Sequence, residues 1–163
     1  MDINKEFKNN IKPCIWFDKN AEEAVNFYLG LFKNSKIENI SYYGDNAHMP
    51  KGTVMVINFS INGQSIMALN GGPYYKLTPA FSLVVECDDQ EEIDYYWNNL
   101  IIGGQSQSCG WVLDKFGLSW QIVPKVLAHL VTYKGPETAQ KVMGALFKMD
   151  KLIIDDLVRA YES

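Results

Sequence analysis

The strongest constraint on the fold of this chain is that one pattern occurs in it twice. The run IKPCIWF, led by a proline and built of strand-favouring residues, is followed by NAEEAVNFYLGLF, in which Ala24, Phe27, Tyr28 and Leu31 recur at i, i+3, i+4 and i+7. That spacing lines one face of a helix. Further on, PAFSLVVEC is followed by DDQEEIDYYWNNLII, with Ile93, Tyr96, Trp97, Leu100 and Ile101 on one helical face. Laid on each other without gaps, the pairs match Glu22-Glu23 to Glu91-Glu92, Ala24 to Ile93, Phe27-Tyr28 to Tyr96-Trp97 and Leu31 to Leu100. The chain is therefore expected to be a duplication of one supersecondary unit.

Each unit continues in the same way. KIENISYYG, TVMVINFSI and QSIMALN read as three strands, the last two joined at Asn62-Gly63, where both turn positions want positive φ. In the second copy the strands are a short one near SQSCG, then WVLDKFG and LSWQIVP, closing at Phe116-Gly117. The expected class is α+β: two βαβββ modules over residues 11–72 and 79–124, with a helical extension over 125–163, together one structural domain. Asn20 is the expected cap of the first helix, with Glu22 and Glu23 where the helix dipole favours carboxylates. The linker GGPYYKLTP interrupts regular structure, and its two tyrosines are candidates to wall a cavity or an interface. In the tail, Ala139, Val142, Met143, Leu146 and Phe147 form one apolar stripe and Ile154, Leu157, Val158 and Tyr161 another, expected to pack on the sheet or on a second chain.

Charge and composition exclude several classes of function. With 15 Lys+Arg against 19 Asp+Glu and no basic run, the chain lacks the electrostatic footprint of a nucleic-acid binder. The polar start MDINKEFKNN has no apolar core for a signal peptide and no later segment is long enough to span a bilayer, so a cytoplasmic, membrane-free protein is expected. Cys14, Cys87 and Cys109 are odd in number and widely spaced, which suits neither a disulfide framework nor a zinc site. Cys87 sits beside Asp88 and Asp89, whose charges oppose thiolate formation, and Cys109 is the least implausible reactive thiol. His48 and His129 lack any metal-motif neighbour. No glycine-rich strand-loop-helix segment suits a dinucleotide.

The doubled βαβββ order, with AEEAVNFY opening the first helix and DKFGLSWQIVP closing the second unit, resembles the vicinal oxygen chelate superfamily of glyoxalases, extradiol dioxygenases and bleomycin-resistance proteins. Within it, GGPYYKLTPAFSLVVEC, CGWVLDKFGLSWQIVP and AQKVMGALFKMDKLIIDDLVRAY are similar to the PhnB-like branch, often labelled demethylubiquinone methyltransferase-like. The resemblance spans about Ile11 to Pro124. It implies paired modules whose curled mixed sheets enclose a cavity, and a homodimer.

Metal-binding members of the superfamily carry one ligand on the first strand and one on the last strand of each module. Counting back from the matched helices gives Pro13 and Ser82, and aligning the hairpins on Gly63 and Gly117 gives Met67 and Gln121. Proline has no side-chain donor, Met is a soft ligand, and the neutral oxygens of Ser and Gln supply no charge against the cost of ion desolvation. No metal and no cofactor are expected. Strand alternation adds Ile15, Phe17, Val84 and Ser119 to the inward face and sends Trp16 and Trp120 to the helix-packed face. Glu86 has inward parity toward the cavity mouth, but termination of the strand there is the favoured explanation for it.

Gln121 keeps a carbonyl acceptor and an amide donor while giving up anionic charge. It either contacts a ligand or satisfies neighbouring polar groups, and Ser82 has the same two readings. The leading expectation is a homodimer that binds or sequesters a small, partly apolar molecule. The alternatives are an enzyme of the methyltransferase-like or lyase type in the same cavity, and a structural dimer with a filled interior.

Overall fold

A computed structural model describes residues 11–163. The segment 1–10, on which the localisation expectation leans, lies outside the described residues. The described residues form two compact units, divided between Lys76 and Leu77. Among the described residues no helix is long and apolar enough to cross a membrane.

The first unit runs β1 (Cys14–Phe17), α1 (Ala21–Leu31), β2 (Lys36–Tyr42), β3 (Val54–Ile61) and β4 (Gln64–Asn70). Its strands form a four-stranded sheet in the order β1-β4-β3-β2, parallel between β1 and β4 and antiparallel elsewhere. The hairpin at Asn62-Gly63 forms as expected, with φ of 46° and 82°. Helix α1 packs on β3 and β4, and Ala24, Val25 and Tyr28 are buried with Ile57, Phe59, Ile66 and Ala68.

Asn20 is the residue before α1, but its side chain caps nothing. The cap comes from the other end of the module: Asn70 Oδ1 accepts from Ala21 N–H at 2.9 Å, while Asn70 Nδ2 donates to the Val54 carbonyl at 3.0 Å. One fully buried amide thus ties the helix start to two strands.

The second unit repeats the order as β5 (Ser82–Cys87), α2 (Gln90–Leu100), β6 (Gln105–Ser106), β7 (Trp111–Leu113) and β8 (Ser119–Pro124). Its sheet order is β5-β8-β7-β6, again parallel only between first and last strands. Here the helix is capped locally, by Asp89 Oδ1 accepting from Glu92 N–H at 2.9 Å. Helix α2 buries Ile93, Trp97 and Leu100, and the fold as a whole is α+β with two open mixed sheets.

The tail forms α3 (Val126–Thr132), α4 (Pro136–Leu146) and α5 (Ile154–Glu162). Their stripes meet one another: Leu130, Val142, Leu146, Leu152 and Leu157 make a core of their own, with Val123 and Cys109 packed against it. Phe147, counted into the α4 stripe from sequence, is exposed instead. Gln90, the first residue of α2, fastens this cluster by accepting from Ile154 N–H at 2.9 Å and donating to the Leu152 carbonyl at 3.2 Å.

Candidate functional site

Residues in register on neighbouring strands share a face, so the pairings decide which side chains meet. On the second sheet Ser82 is opposite Ser119 and Val84 opposite Gln121, while Trp111 and Leu113 of β7 are opposite Gln121 and Ser119. These six project from the side away from α2. The other side carries Trp120, Ile122 and Val112, all buried, and α2 packs there. The expected grouping of Ser82, Val84, Ser119 and Gln121, with Trp120 behind them, is therefore what this sheet displays.

Within the group, Gln121 Nε2 donates to Ser82 Oγ at 2.8 Å, and Gln121 Oε1 accepts no hydrogen bond among the described residues. Ser119 is only 1% exposed, and its hydroxyl has no partner among the described residues. Around these polar atoms stand Val84, 55% exposed, and the part-buried Trp111, Leu113 and Val123. Glu86 is exposed at the end of β5, opposite Val123.

The register of β8 is held by a residue that the sequence reading passed over. Asp114, 3% exposed, closes the β7–β8 hairpin: Oδ1 accepts from Phe116 N–H at 2.8 Å and Leu118 N–H at 3.0 Å, and Oδ2 accepts from Trp120 Nε1–H at 2.8 Å. Gly117 supplies the positive φ, 86°, that the turn requires.

The first sheet corrects an expectation. Cys14 is opposite Met67, Trp16 opposite Leu69 and Phe17 opposite Asn70. The Asn70 side chain reaches the start of α1, so Ile15 and Phe17 belong to the helix-packed face, where both are buried with Ala68. Trp16 is on the open face, not the helix face; its Nε1–H donates to the Gly72 carbonyl at 2.8 Å, and its ring meets Tyr75 edge-on. Met67 and Pro13 do not share a face either. Pro13 instead offers its carbonyl to Met67 N–H at 2.9 Å.

The cause is one residue. Three residues, Asp18 to Asn20, separate Phe17 from α1, whereas two, Asp88 and Asp89, separate Cys87 from α2. Shifting a strand by one position exchanges its faces. The structural counterpart of Val84 is thus Cys14, and that of Ser82 is Lys12 rather than Pro13. Lys12 Nζ donates to Asn58 Oδ1, and Asn58 Nδ2 donates to Asn39 Oδ1 at 2.8 Å, with Asn58 opposite both Met67 and Asn39 in the sheet.

The remaining candidates take structural places. Cys14 is exposed on an edge strand, its thiol raised by partial burial against the lowering effect of the Lys12 ammonium. Cys87 is buried, and burial, reinforced by Glu92, Asp89 and Asp88, pushes it up to about 12. Cys109 has a φ of 65° in the turn into β7. His48 Nε2 is 3.3 Å from Tyr43 Oη, and His129 stacks on Tyr133.

The donor set does not fit a divalent metal. With the register corrected, the four superfamily positions hold Lys12, Met67, Ser82 and Gln121, adding a cation to an already uncharged set. Among the described residues no three His, Cys, Asp or Glu side chains gather as a metal site.

Comparison with known proteins points one way. A family model described as 3-demethylubiquinone-9 3-methyltransferase matches residues 9–123. The PhnB protein of Bacillus cereus is 36% identical, with a TM-score of 0.66 and coverage of 71% of this chain and 99% of that one. A protein of Pseudomonas aeruginosa is 22% identical, at a TM-score of 0.58, covering 70% and 96%. The fosfomycin resistance protein FosX of Listeria monocytogenes is 14% identical, at a TM-score of 0.55, covering 76% and 96%; a further structure of it is complexed with Mn(II) and sulfate. The latter two share the fold alone. No curated protein matches.

Proposed function

We infer the function from one premise: the chain belongs to the 3-demethylubiquinone-9 3-methyltransferase family, the PhnB-like branch of the vicinal oxygen chelate superfamily. From it follows a protein that binds a small, partly apolar molecule on the open face of its second sheet, without a divalent metal.

The observation that carries this reading is Ser119. Its hydroxyl is buried and unpartnered among the described residues, beside the Ser82–Gln121 pair. A buried hydroxyl in that state costs about 1–3 kcal/mol, and a ligand atom that pairs with it removes the cost. Gln121 Oε1 adds an acceptor, and Trp111, Leu113 and Val84 add apolar contact. A few polar atoms among apolar walls is the usual make-up of a small-molecule site. The lack of anionic donors separates this chemistry from chelation. Dimerisation in the cytoplasm belongs to the same reading, supported by the exposed linker tyrosines Tyr74 and Tyr75; sedimentation equilibrium tests the dimer.

The site itself is tested by titrating isotope-labelled protein with small phenols, amides and alcohols, followed by amide chemical shifts. Saturable shifts on β5 and β8 are expected, weakened at least about tenfold (~1.4 kcal/mol) by Gln121→Leu and by Ser119→Ala. The reading fails if none of the compounds perturbs these strands. It fails equally if purified protein carries a stoichiometric divalent ion that Gln121→Leu releases.

A further inference from the structure

We propose that the open face of the first sheet is an anion-recognition site, centred on Lys12, for a small carboxylate with an apolar body. It is argued from the first sheet alone and does not rest on the reading of the second.

The hydrogen bonds along this face all run in one direction. The Lys12 ammonium donates to Asn58 Oδ1, and the Asn58 amide donates to Asn39 Oδ1. Each amide oxygen already accepts one bond inside the row, while the spare donors outnumber the lone pairs left: two N–H bonds of Lys12 and the whole amide NH2 of Asn39 have no partner among the described residues. Lys12 pairs with no carboxylate among them. A chain of this kind is polarised by its cationic end, which strengthens the donors along it.

A row with surplus donors and a positive charge is complementary to an anion. A carboxylate, with two oxygens and about four lone-pair sites, can take several such donors at once. Beside the row the same face is apolar. Cys14 and Met67 are opposite each other, Met67 is also opposite Asn58, and Leu69 is opposite Trp16 and Val56. These residues would take the hydrocarbon part of the acid. Because β1 is an edge strand, the row is reachable from the side of the sheet.

The register makes this inference possible. If Pro13 shared the face with Met67, Lys12 would point to the α1 side and no cation would stand near Asn58.

Benzoate and propionate serve as probes, with benzamide as the uncharged counterpart of benzoate, each titrated into isotope-labelled full-length protein while the side-chain amide signals of Asn39 and Asn58 are followed. Saturable shifts are expected with the carboxylates, weaker as ionic strength rises. Lys12→Met should weaken them about tenfold or more, and Lys12→Arg should restore them, since it keeps the charge. Lys12 is exposed, so the backbone spectra of both variants should overlay that of the wild type away from the row. The proposal is overturned if neither carboxylate gives a saturable shift, if benzamide binds as well as benzoate, or if Lys12→Met binds as tightly as wild type.

Discussion

Replacing Asp114 gives the sharpest test of how the second sheet is held together. Its carboxylate accepts hydrogen bonds from Phe116 N–H, Leu118 N–H and Trp120 Nε1–H. Phe116 is partly exposed, so water can replace its bond, but Leu118 and Trp120 are 0% and 2% exposed. Asp114→Ala strands those two donors. At about 1–3 kcal/mol for each of the two buried unsatisfied groups, the expected cost is about 2–6 kcal/mol. Asp114→Asn preserves shape and keeps one acceptor oxygen, but turns an NH2 toward whichever donor that oxygen does not serve. Its cost should be smaller, about 1–3 kcal/mol. Urea melts of the two variants and the wild type measure this, with midpoints falling in that order at unchanged slope. The same substitutions should move the amide signals of Ser119 and Gln121, because the hairpin sets the register of β8. The reasoning is refuted if Asp114→Ala lies within about 1 kcal/mol of the wild type, or if Asp114→Asn is as damaging as Asp114→Ala.

Glycines that look alike in sequence should respond in opposite directions. At Gly30 in α1 and Gly144 in α4 a Cβ meets nothing within 4 Å, so each Ala substitution should raise stability by about 0.5–1 kcal/mol; at Gly104 the Cβ would lie 2.1 Å from the Leu113 carbonyl, and Gly104→Ala should lower the melting temperature. For the thiols, alkylation followed by mass spectrometry at pH 8 should label exposed Cys14 before buried Cys87. Because Cys87 is raised from 9.0 to about 12 in the fold, the unfolded chain gives up its proton first as pH climbs through that window, and stability should fall there. Urea melts at pH 8 and pH 10 should show a smaller drop for Cys87→Ala than for the wild type, and an equal drop would discard the thiol as the cause.

What the sequence disclosed, and what it withheld, follows from the range of each signal. The repeat, the Asn62-Gly63 hairpin and the apolar faces of α1 and α2 are local patterns, and all were readable. The open-face group Ser82, Val84, Ser119 and Gln121 was readable too, since β5 and β8 needed only alternation. On β1 the same logic failed because Cys14, Ile15, Trp16 and Phe17 are all apolar, so neither parity is favoured by composition. The deciding clue was the length of the connection to the helix, Asp18-Lys19-Asn20 against Asp88-Asp89, which a gapless superposition conceals. Asn70 and Asp114 stayed hidden for a different reason. As single polar residues at strand ends they resemble loop residues, and their value lies in partners: for Asn70, Ala21 is 49 positions away. The tail helices were visible, but not that their stripes would bury each other.

The extra residue before α1 has a meaning for how such duplicated chains diverge. A three-nucleotide insertion in that connection leaves the strand's pairing with β4 and the helix intact, yet trades every side chain the strand shows to solvent for those it had shown to the core. Point substitutions would need to change each position in turn to do as much. One short indel can therefore refurnish a whole strand of one module in a single event, and let two halves born identical take up different chemical work.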